Sequence, residues 1–253
     1  MNVTVLVKFV PEPQGTPTLG PDNLLVRTGV DGALDPGDEY GLELGLQLAE
    51  ASGGTVHVVS MGPDEAMTAV QRALAMGAST GMLVTDPALR GADALVTARV
   101  LAAAIARTPA DLIVAGAEST DGYTGTVPVT VAELLGIDSV TAVRHLEVDG
   151  PGFRIERQTE AGYDVLSCPS PAVVTVTAGA TEPRYPSLKG IMGAKSKPVE
   201  RVSAADLGVT DLSAAQSVTA VTDAAPKAGG EVVQAGEGAV TKIADLLAEA
   251  GVI

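Results

Sequence analysis

Val3-Thr4-Val5-Leu6-Val7-Lys8-Phe9-Val10 is a nearly unbroken β-branched and apolar run close to the start of this 253-residue chain. A strand so patterned has almost no polar face for water, which suits a parallel sheet covered on both sides. Similar runs recur at 55–60, 81–85 and 111–115, with helical stretches between them. Asp35-Pro36 opens the first helix. Asp35 can accept an orphan N–H as N-cap, and Pro36 fits the first helical position, where no N–H is needed. That helix reaches about Ala51 and stops at Gly53-Gly54. Further helices are expected over 64–76, closed by Gly77, over the Ala-rich 93–106, and from the polar loop 116–122 through Leu135. Strand–helix alternation of this kind predicts an α/β fold: a mostly parallel sheet with helices on both faces. Residues 24–27 and 33–34, on either side of Gly29–Gly32, read as a small hairpin.

After Ile137 the rhythm changes. Segments 139–148, 153–158, 163–167 and 173–177 are all strand-like, and Asp149-Gly150-Pro151-Gly152 is a strong turn. They are expected to form an antiparallel extension, with 201–207 closing the domain. Residues 208–238, rich in Ala, Ser, Thr, Gly and Asp, lack helical periodicity and read as an extended arm. Residues 239–250 form a short helix with Val240, Ile243 and Leu247 on one face. The expected division is therefore a nucleotide-binding domain over 1–207 and an arm over 208–253. The arm packs either on a partner or on its own domain.

Composition narrows the function classes. Apolar residues make up 46% of the chain, enough for a core, but aromatics are 2% with no Trp, so that core is aliphatic. The single cysteine, Cys168, excludes an internal disulfide and suits a reducing compartment. No apolar run reaches the roughly 20 residues of a membrane span. Pro11 and Pro13 interrupt the one early apolar stretch, so a cytoplasmic protein without a targeting segment is expected. A net charge of −15 argues against nucleic acid, whose phosphates repel an acidic surface.

In an open parallel sheet, ligands bind beyond the carboxyl ends of the strands. Three segments converge there: residues 6–11 with Leu6 and Lys8, residues 60–63 with Met61, and the loop Gly116-Ala117-Glu118-Ser119-Thr120-Asp121-Gly122-Tyr123-Thr124-Gly125-Thr126-Val127. That loop leads into a helix, whose free N–H groups and positive dipole end suit phosphate. Gly122, Thr124, Gly125 and Thr126 let backbone approach an anion, although an ordinary βα loop shares these traits. There is no Walker A sequence and no G-x-G-x-x-G after the first strand, so neither an ATP-splitting P-loop nor a standard Rossmann dehydrogenase is indicated. His57 and His145 sit in strands, and Cys168 has no His nearby. No metal-ligand spacing and no Ser–His–Asp arrangement is legible. No catalytic residue is assigned.

Residues 181–198, Thr181-Glu182-Pro183-Arg184-Tyr185-Pro186-Ser187-Leu188-Lys189-Gly190-Ile191-Met192-Gly193-Ala194-Lys195-Ser196-Lys197-Pro198, stand apart. Residues 180–201 carry five Lys/Arg against two acids, a balance of +3 inside an acidic chain. Prolines stiffen the segment, so it can present Tyr185 and Leu188 to a partner at small entropic loss. The alternative is a Pro-rich surface loop whose Leu tucks into its own domain.

The segment resembles the signature N-E-P-R-Y-P/A-S/T-L-x-x-I-M-x-A-K-x-K of the electron-transfer flavoprotein β subunit, the smaller half of an αβ heterodimer. Thr181 replaces the usual Asn, and Ser196 separates two lysines. The resemblance extends through nearly the whole chain. It implies an adenine nucleotide α-hydrolase-like fold, a structural AMP in this chain, and FAD shared with, and mostly bound by, the α subunit. It places AMP among Leu6, the helix start Asp35-Pro36-Gly37-Asp38, Met61 and the 116–127 loop. Against the family's D-x-D-x-x-Q-x-x-P, Asp121 and Gly122 fit, Tyr123 and Thr126 replace Asp and Gln, and proline shifts to Pro128. Gly37 replaces an aromatic residue. Leu188 becomes the expected anchor for acyl-CoA and related dehydrogenases, supported by Tyr185, Ile191 and Met192, with Lys195 and Lys197 steering acidic partners. Electrons would pass on to a membrane quinone oxidoreductase. Residues 157–162 resemble a segment near the α subunit's flavin domain, or are a solvated hairpin. Two other readings stay open: an electron-bifurcating flavoprotein with a second FAD in the AMP site, and a stand-alone nucleotide-binding protein of universal-stress or ATP-pyrophosphatase type.

Overall fold

The computed structural model describes residues 1–11, 18–222, 224–225, 230 and 232–253. In chain order the elements are β1 (Asn2–Leu6), β2 (Phe9–Pro11), β3 (Gly32–Leu34), α1 (Pro36–Ser52), β4 (Thr55–Met61), α2 (Met67–Met76), β5 (Thr80–Val84), α3 (Ala94–Ile105) and β6 (Leu112–Gly116). There follow α4 (Val127–Leu135), β7 (Asp138–Asp149), β8 (Gly152–Thr159), β9 (Gly162–Pro169), β10 (Ala172–Val176), α5 (Leu188–Ala194), β11 (Val199–Val202) and α6 (Ala239–Glu249). Nine strands form one sheet in the order β11-β5-β4-β1-β6-β10-β7-β8-β9. Pairing is parallel from β11 to the start of β7 and antiparallel across β7, β8 and β9.

The unbroken apolar runs have the predicted cause. Val3, Val5, Val56, Val58, Leu112 and Val114 face a cluster that contains Leu42 of α1 and Leu74 of α2. Leu6, Val59, Ile113 and Ala115 face the opposite cluster, with Leu101 of α3 and Val131 of α4. Successive side chains of a strand point to opposite faces, so a strand covered on both must be apolar at every position. Helix α1 lies especially close to the sheet. A Cβ at Gly45 would stand 2.9 Å from a Val5 methyl and one at Gly41 3.1 Å from a Val114 methyl. The α1 ends are the expected ones, with the Asp35 carboxylate accepting the Gly37 N–H at 2.8 Å and Gly53 left-handed at φ 68°.

Four sequence expectations are corrected. Residues 3–10 do not form one strand: β1 ends at Leu6, and Phe9–Pro11 pairs antiparallel with Gly32–Leu34. At the break, the Lys8 N–H donates to Asp38 at 2.7 Å and the Lys8 carbonyl accepts the Asp35 N–H at 2.9 Å, which takes Lys8 out of the sheet ladder. That pairing also replaces the hairpin expected across 24–34, because residues 33–34 partner β2. Strand β10 is not in the antiparallel extension. It runs parallel between β6 and β7, and all five of its residues are buried. A strand with no polar face belongs in the middle of the sheet. Finally, residues 181–198 are not loop throughout, since Ser187 caps the helix α5 by accepting the Gly190 N–H at 3.0 Å.

Residues 1–219 form one compact unit and 220–253 another. The first extends past Leu207 because Val209 and Leu212 pack on the α3–α4 side of the core. Of the expected arm, residues 223, 226–229 and 231 lie outside the described residues. Within the second unit, α6 carries Val240, Ile243 and Leu247 at helical spacing, and none of its residues is buried. Among the described residues no helix is long and apolar enough to cross a membrane.

Candidate nucleotide site and docking segment

The chain leaves β1 leftward through β4 and β5, then crosses to β6 on the other side of β1. The carboxyl ends of β1 and β6 therefore flank the point where strand order reverses, the usual ligand position in such sheets. A cavity of about 710 Å³ opens there. Ten expected residues line it: Leu6, Lys8, Asp38, Met61, Gly116, Ser119, Gly122, Thr124, Gly125 and Val127.

The remaining expected residues stand elsewhere. Asp35 and Thr120 lie outside the lining and fasten the loop to α1: the Thr120 N–H and hydroxyl donate to the Asp35 carboxylate at 2.7 and 2.9 Å. Asp121 pairs with Lys8 at 2.7 Å and also with Arg27. Pro36, Gly37, Tyr123 and Thr126 do not reach the cavity wall. Tyr123 is exposed, with φ 49° in the left-handed region, and Pro36 and Gly37 serve the start of α1. Helix α4 begins at Val127, later than expected, so 116–126 is a long loop whose last turn faces the cavity.

The electrostatics are uneven. Asp38 is buried and accepts the N–H groups of Lys8 at 2.7 Å and Gly116 at 3.2 Å. Loss of water, joined by the Asp35 charge, pushes its carboxyl up to about 8 against those two donors. Asp121 goes the other way: burial raises it, but the charges of Lys8 and Arg27 outweigh burial and hold it below the ordinary carboxylate range.

Sequence reasoning missed three parts of the wall. Asp22, Leu24 and Arg27 come from the segment around 24–27, which reads in sequence as half of a hairpin. Gly91, Ala92, Asp93 and Ala94 come from the start of α3, where Asp93 reads in sequence only as the first residue of an Ala-rich helix and the structure makes it the N-cap. Ala214, Gln216, Ser217 and Val218 come from the stretch read as arm. Asp93 draws that stretch in, accepting N–H groups from Ala215 at 2.7 Å and Gln216 at 3.2 Å.

The segment expected to dock is an exposed apolar ridge. Tyr185 is 89% exposed, Leu188 75%, Met192 71% and Ile191 52%, which removes the alternative of a Leu tucked into its own domain. Lys195 is exposed beside them. Lys197 corrects the steering role expected of it. Its ammonium donates to the carbonyls of Leu74 at 2.8 Å and Ala78 at 2.6 Å, closing the end of α2.

Neither histidine enters the cavity lining. The His57 Nδ1 meets the Thr80 hydroxyl at 2.8 Å, and burial holds its ring below the usual histidine range. His145 lies on β7 against a second, polar depression shared with Arg144 and Glu156. Cys168 is buried. Among the described residues no group of three or more His, Cys, Asp or Glu could hold a metal ion.

A family model described as "Electron transfer flavoprotein domain" matches residues 22–207. The chain is 38% identical over 206 residues to the "Electron transfer flavoprotein subunit beta" of Thermoanaerobacterium thermosaccharolyticum, covering 81% of this chain and 79% of that one. It is 39% identical over 209 residues to the protein of the same name from Clostridium acetobutylicum, covering 83% and 81%. With the Mycobacterium bovis protein of that name it shares 37% identity over 250 residues, 94% of each chain. Matches of this extent, on a fold whose strand reversal carries the cavity and whose signature segment carries the exposed ridge, place the chain in the electron transfer flavoprotein family, among its β subunits.

Proposed function

We propose that the chain pairs with an α subunit to form an electron carrier, with a structural AMP in the cavity and FAD held mainly by the partner. The flavin supplies the redox chemistry, taking electrons from acyl-CoA and related dehydrogenases and yielding them to a quinone oxidoreductase. This chain makes and breaks no substrate bond. Its part is to bind nucleotide, stay rigid and present a docking ridge.

The observation that carries the reading is the exposure of Leu188, Met192 and Tyr185 on a segment fixed to the body. Exposed apolar clusters of this kind mark interaction sites. The cavity residues fit AMP. Lys8, Arg27 and Ser119 offer donors for phosphate, together with the first turn of α4. A side chain at Gly122 would begin 3.2 Å from the Ser119 hydroxyl and 3.7 Å from the Lys8 ammonium, so glycine keeps that cradle open.

The test is to co-express the chain with its α subunit, denature the complex and identify the released nucleotides by mass spectrometry. One FAD and one AMP per heterodimer is the expected result. Two FAD and no AMP would move the reading to electron bifurcation. ATP or nothing, with no FAD and no co-purifying partner, would overturn it in favour of a stand-alone nucleotide-binding domain. For the ridge, Leu188→Ala is expected to raise the apparent KM of a dehydrogenase for the heterodimer about tenfold, the loss of one buried anchor. An unchanged KM would remove Leu188 from the interface.

A further inference from the structure

The ridge is held by a clamp that the electron-transfer reading does not require. The Arg184 guanidinium donates to Glu43 through Nε at 2.8 Å and through one terminal nitrogen at 3.0 Å, and to Glu50 at 2.5 and 3.1 Å. Its backbone N–H also reaches Glu43, at 3.2 Å. Glu43 is 3% exposed, and the Gln47 amide donates to it at 2.8 Å. Burial alone would push the Glu43 carboxyl up, but Arg184 overrides this and holds it below the ordinary range. Three residues before Arg184, the Thr181 hydroxyl donates to the Tyr40 carbonyl at 2.9 Å. All these partners lie on α1, the helix whose first residues fasten the nucleotide loop.

Beyond the clamp, α5 rests on α2. A Cβ at Gly190 would stand 2.3 Å from the Ala75 carbonyl oxygen, so backbone meets backbone there. Lys197 closes the far side on the α2 carbonyls. The segment is thus fixed before, under and after the ridge, while its apolar side chains stay in solvent. Ordering rotamer-rich side chains and loops on association is an entropic loss that works against binding. A ridge ordered in advance avoids much of that loss.

We propose that Arg184, gripped by Glu43 and Glu50, is a positioning residue for dehydrogenase docking: it sets the ridge in its binding geometry and ties it to α1. This rests on the docking reading above. It adds a residue whose guanidinium is held by Glu43 and Glu50 of α1.

The experiment uses the αβ heterodimer and a purified acyl-CoA dehydrogenase reduced by its acyl-CoA substrate. Arg184→Lys keeps the charge but loses the forked geometry. It is expected to raise the apparent KM for the heterodimer about fivefold to tenfold, with kcat within about twofold and the FAD and AMP content unchanged. Amide hydrogen exchange across 188–194 should quicken. The double variant Arg184→Met/Glu43→Met removes the buried charge together with its partner, so it should fold while keeping the raised KM. A KM equal to wild type in both variants, with Leu188→Ala still raising it, overturns the clamp. If Leu188→Ala also leaves KM unchanged, the docking reading falls, and the clamp with it.

Discussion

The nucleotide cavity and the docking ridge invert ordinary partitioning in opposite directions. At the cavity, Asp35 and Asp38 are buried. At the ridge, Leu188, Met192 and Tyr185 face water. Carboxylates are seldom buried without donors, and large apolar side chains seldom cluster in solvent. The cavity satisfies its inversion internally, through the N–H groups of Lys8, Gly37, Gly116 and Thr120. Among the described residues the ridge stays exposed. The contrast separates buried polar groups satisfied by their own fold from apolar side chains left in solvent, and α1 touches both regions.

The largest expected effect breaks the cavity side. The Asp38 carboxyl rises from 3.8 unfolded to about 8 folded. The folded chain therefore holds a proton that the unfolded chain has released. Its contribution to stability is full below pH 4 and is lost as pH rises toward 8, on the order of 5 kcal/mol in total. Denaturant unfolding of the heterodimer across that range should show this decline, and Asp38→Asn should flatten it. A decline of equal slope in the variant would assign it to other groups.

Next is the packing beneath the ridge. Gly190→Val would force a side chain against the Ala75 carbonyl, costing about 1–3 kcal/mol, and should raise the dehydrogenase KM by lifting α5. Retained KM with lowered Tm would show that α5 can shift without affecting docking. Asp35→Ala removes both the α1 cap and the anchor of Thr120, about 1–2 kcal/mol. It should lower AMP retention through gel filtration and leave the dehydrogenase KM unchanged. A raised KM instead would mean that the two sites communicate through α1.

The smallest effect separates exposure from docking. Tyr163 on β9 is also exposed, but Arg144 stands over its ring at 5.1 Å. Tyr163→Ser should cost below about 1 kcal/mol and leave the dehydrogenase KM at its wild-type value. A raised KM would extend the interface to the antiparallel strands.

Much of this was legible because it is local. Asp35-Pro36 and Gly53 declare the ends of α1 through cap chemistry, and the apolar runs declare strands covered on both faces. The partner of a short strand was not legible. Phe9–Pro11 and Gly32–Leu34 are three residues each, and nothing in their pattern says that they pair with one another. Strand β10 showed the apolar content of a central strand, but its place after three antiparallel strands suggested a fourth. At the site, the 116–127 loop could be read as phosphate-suited from its small residues and following helix. Arg27 and 214–218 could not, because irregular segments carry no periodicity to say which way they turn. Lys197 shows the same limit for side chains: a cation in a basic segment has the same sequence whether it faces a partner or a helix end.

The place of β10 also sets an order of events. Strands β6 and β7 each have one edge open until Ala172–Val176 has been synthesised and inserted between them. The antiparallel strands β7, β8 and β9 are local and can form early, whereas their joining to the parallel strands must wait for a segment more than fifty residues beyond β6. Non-local pairings of this kind fold slowly and expose strand edges meanwhile. A ribosome stalled before residue 172 would therefore carry a nascent chain with the β6 and β7 edges unpaired, and the β5 edge that β11 later covers unpaired as well, and aggregation during synthesis, rather than instability of the finished protein, is the hazard that this sheet order builds in.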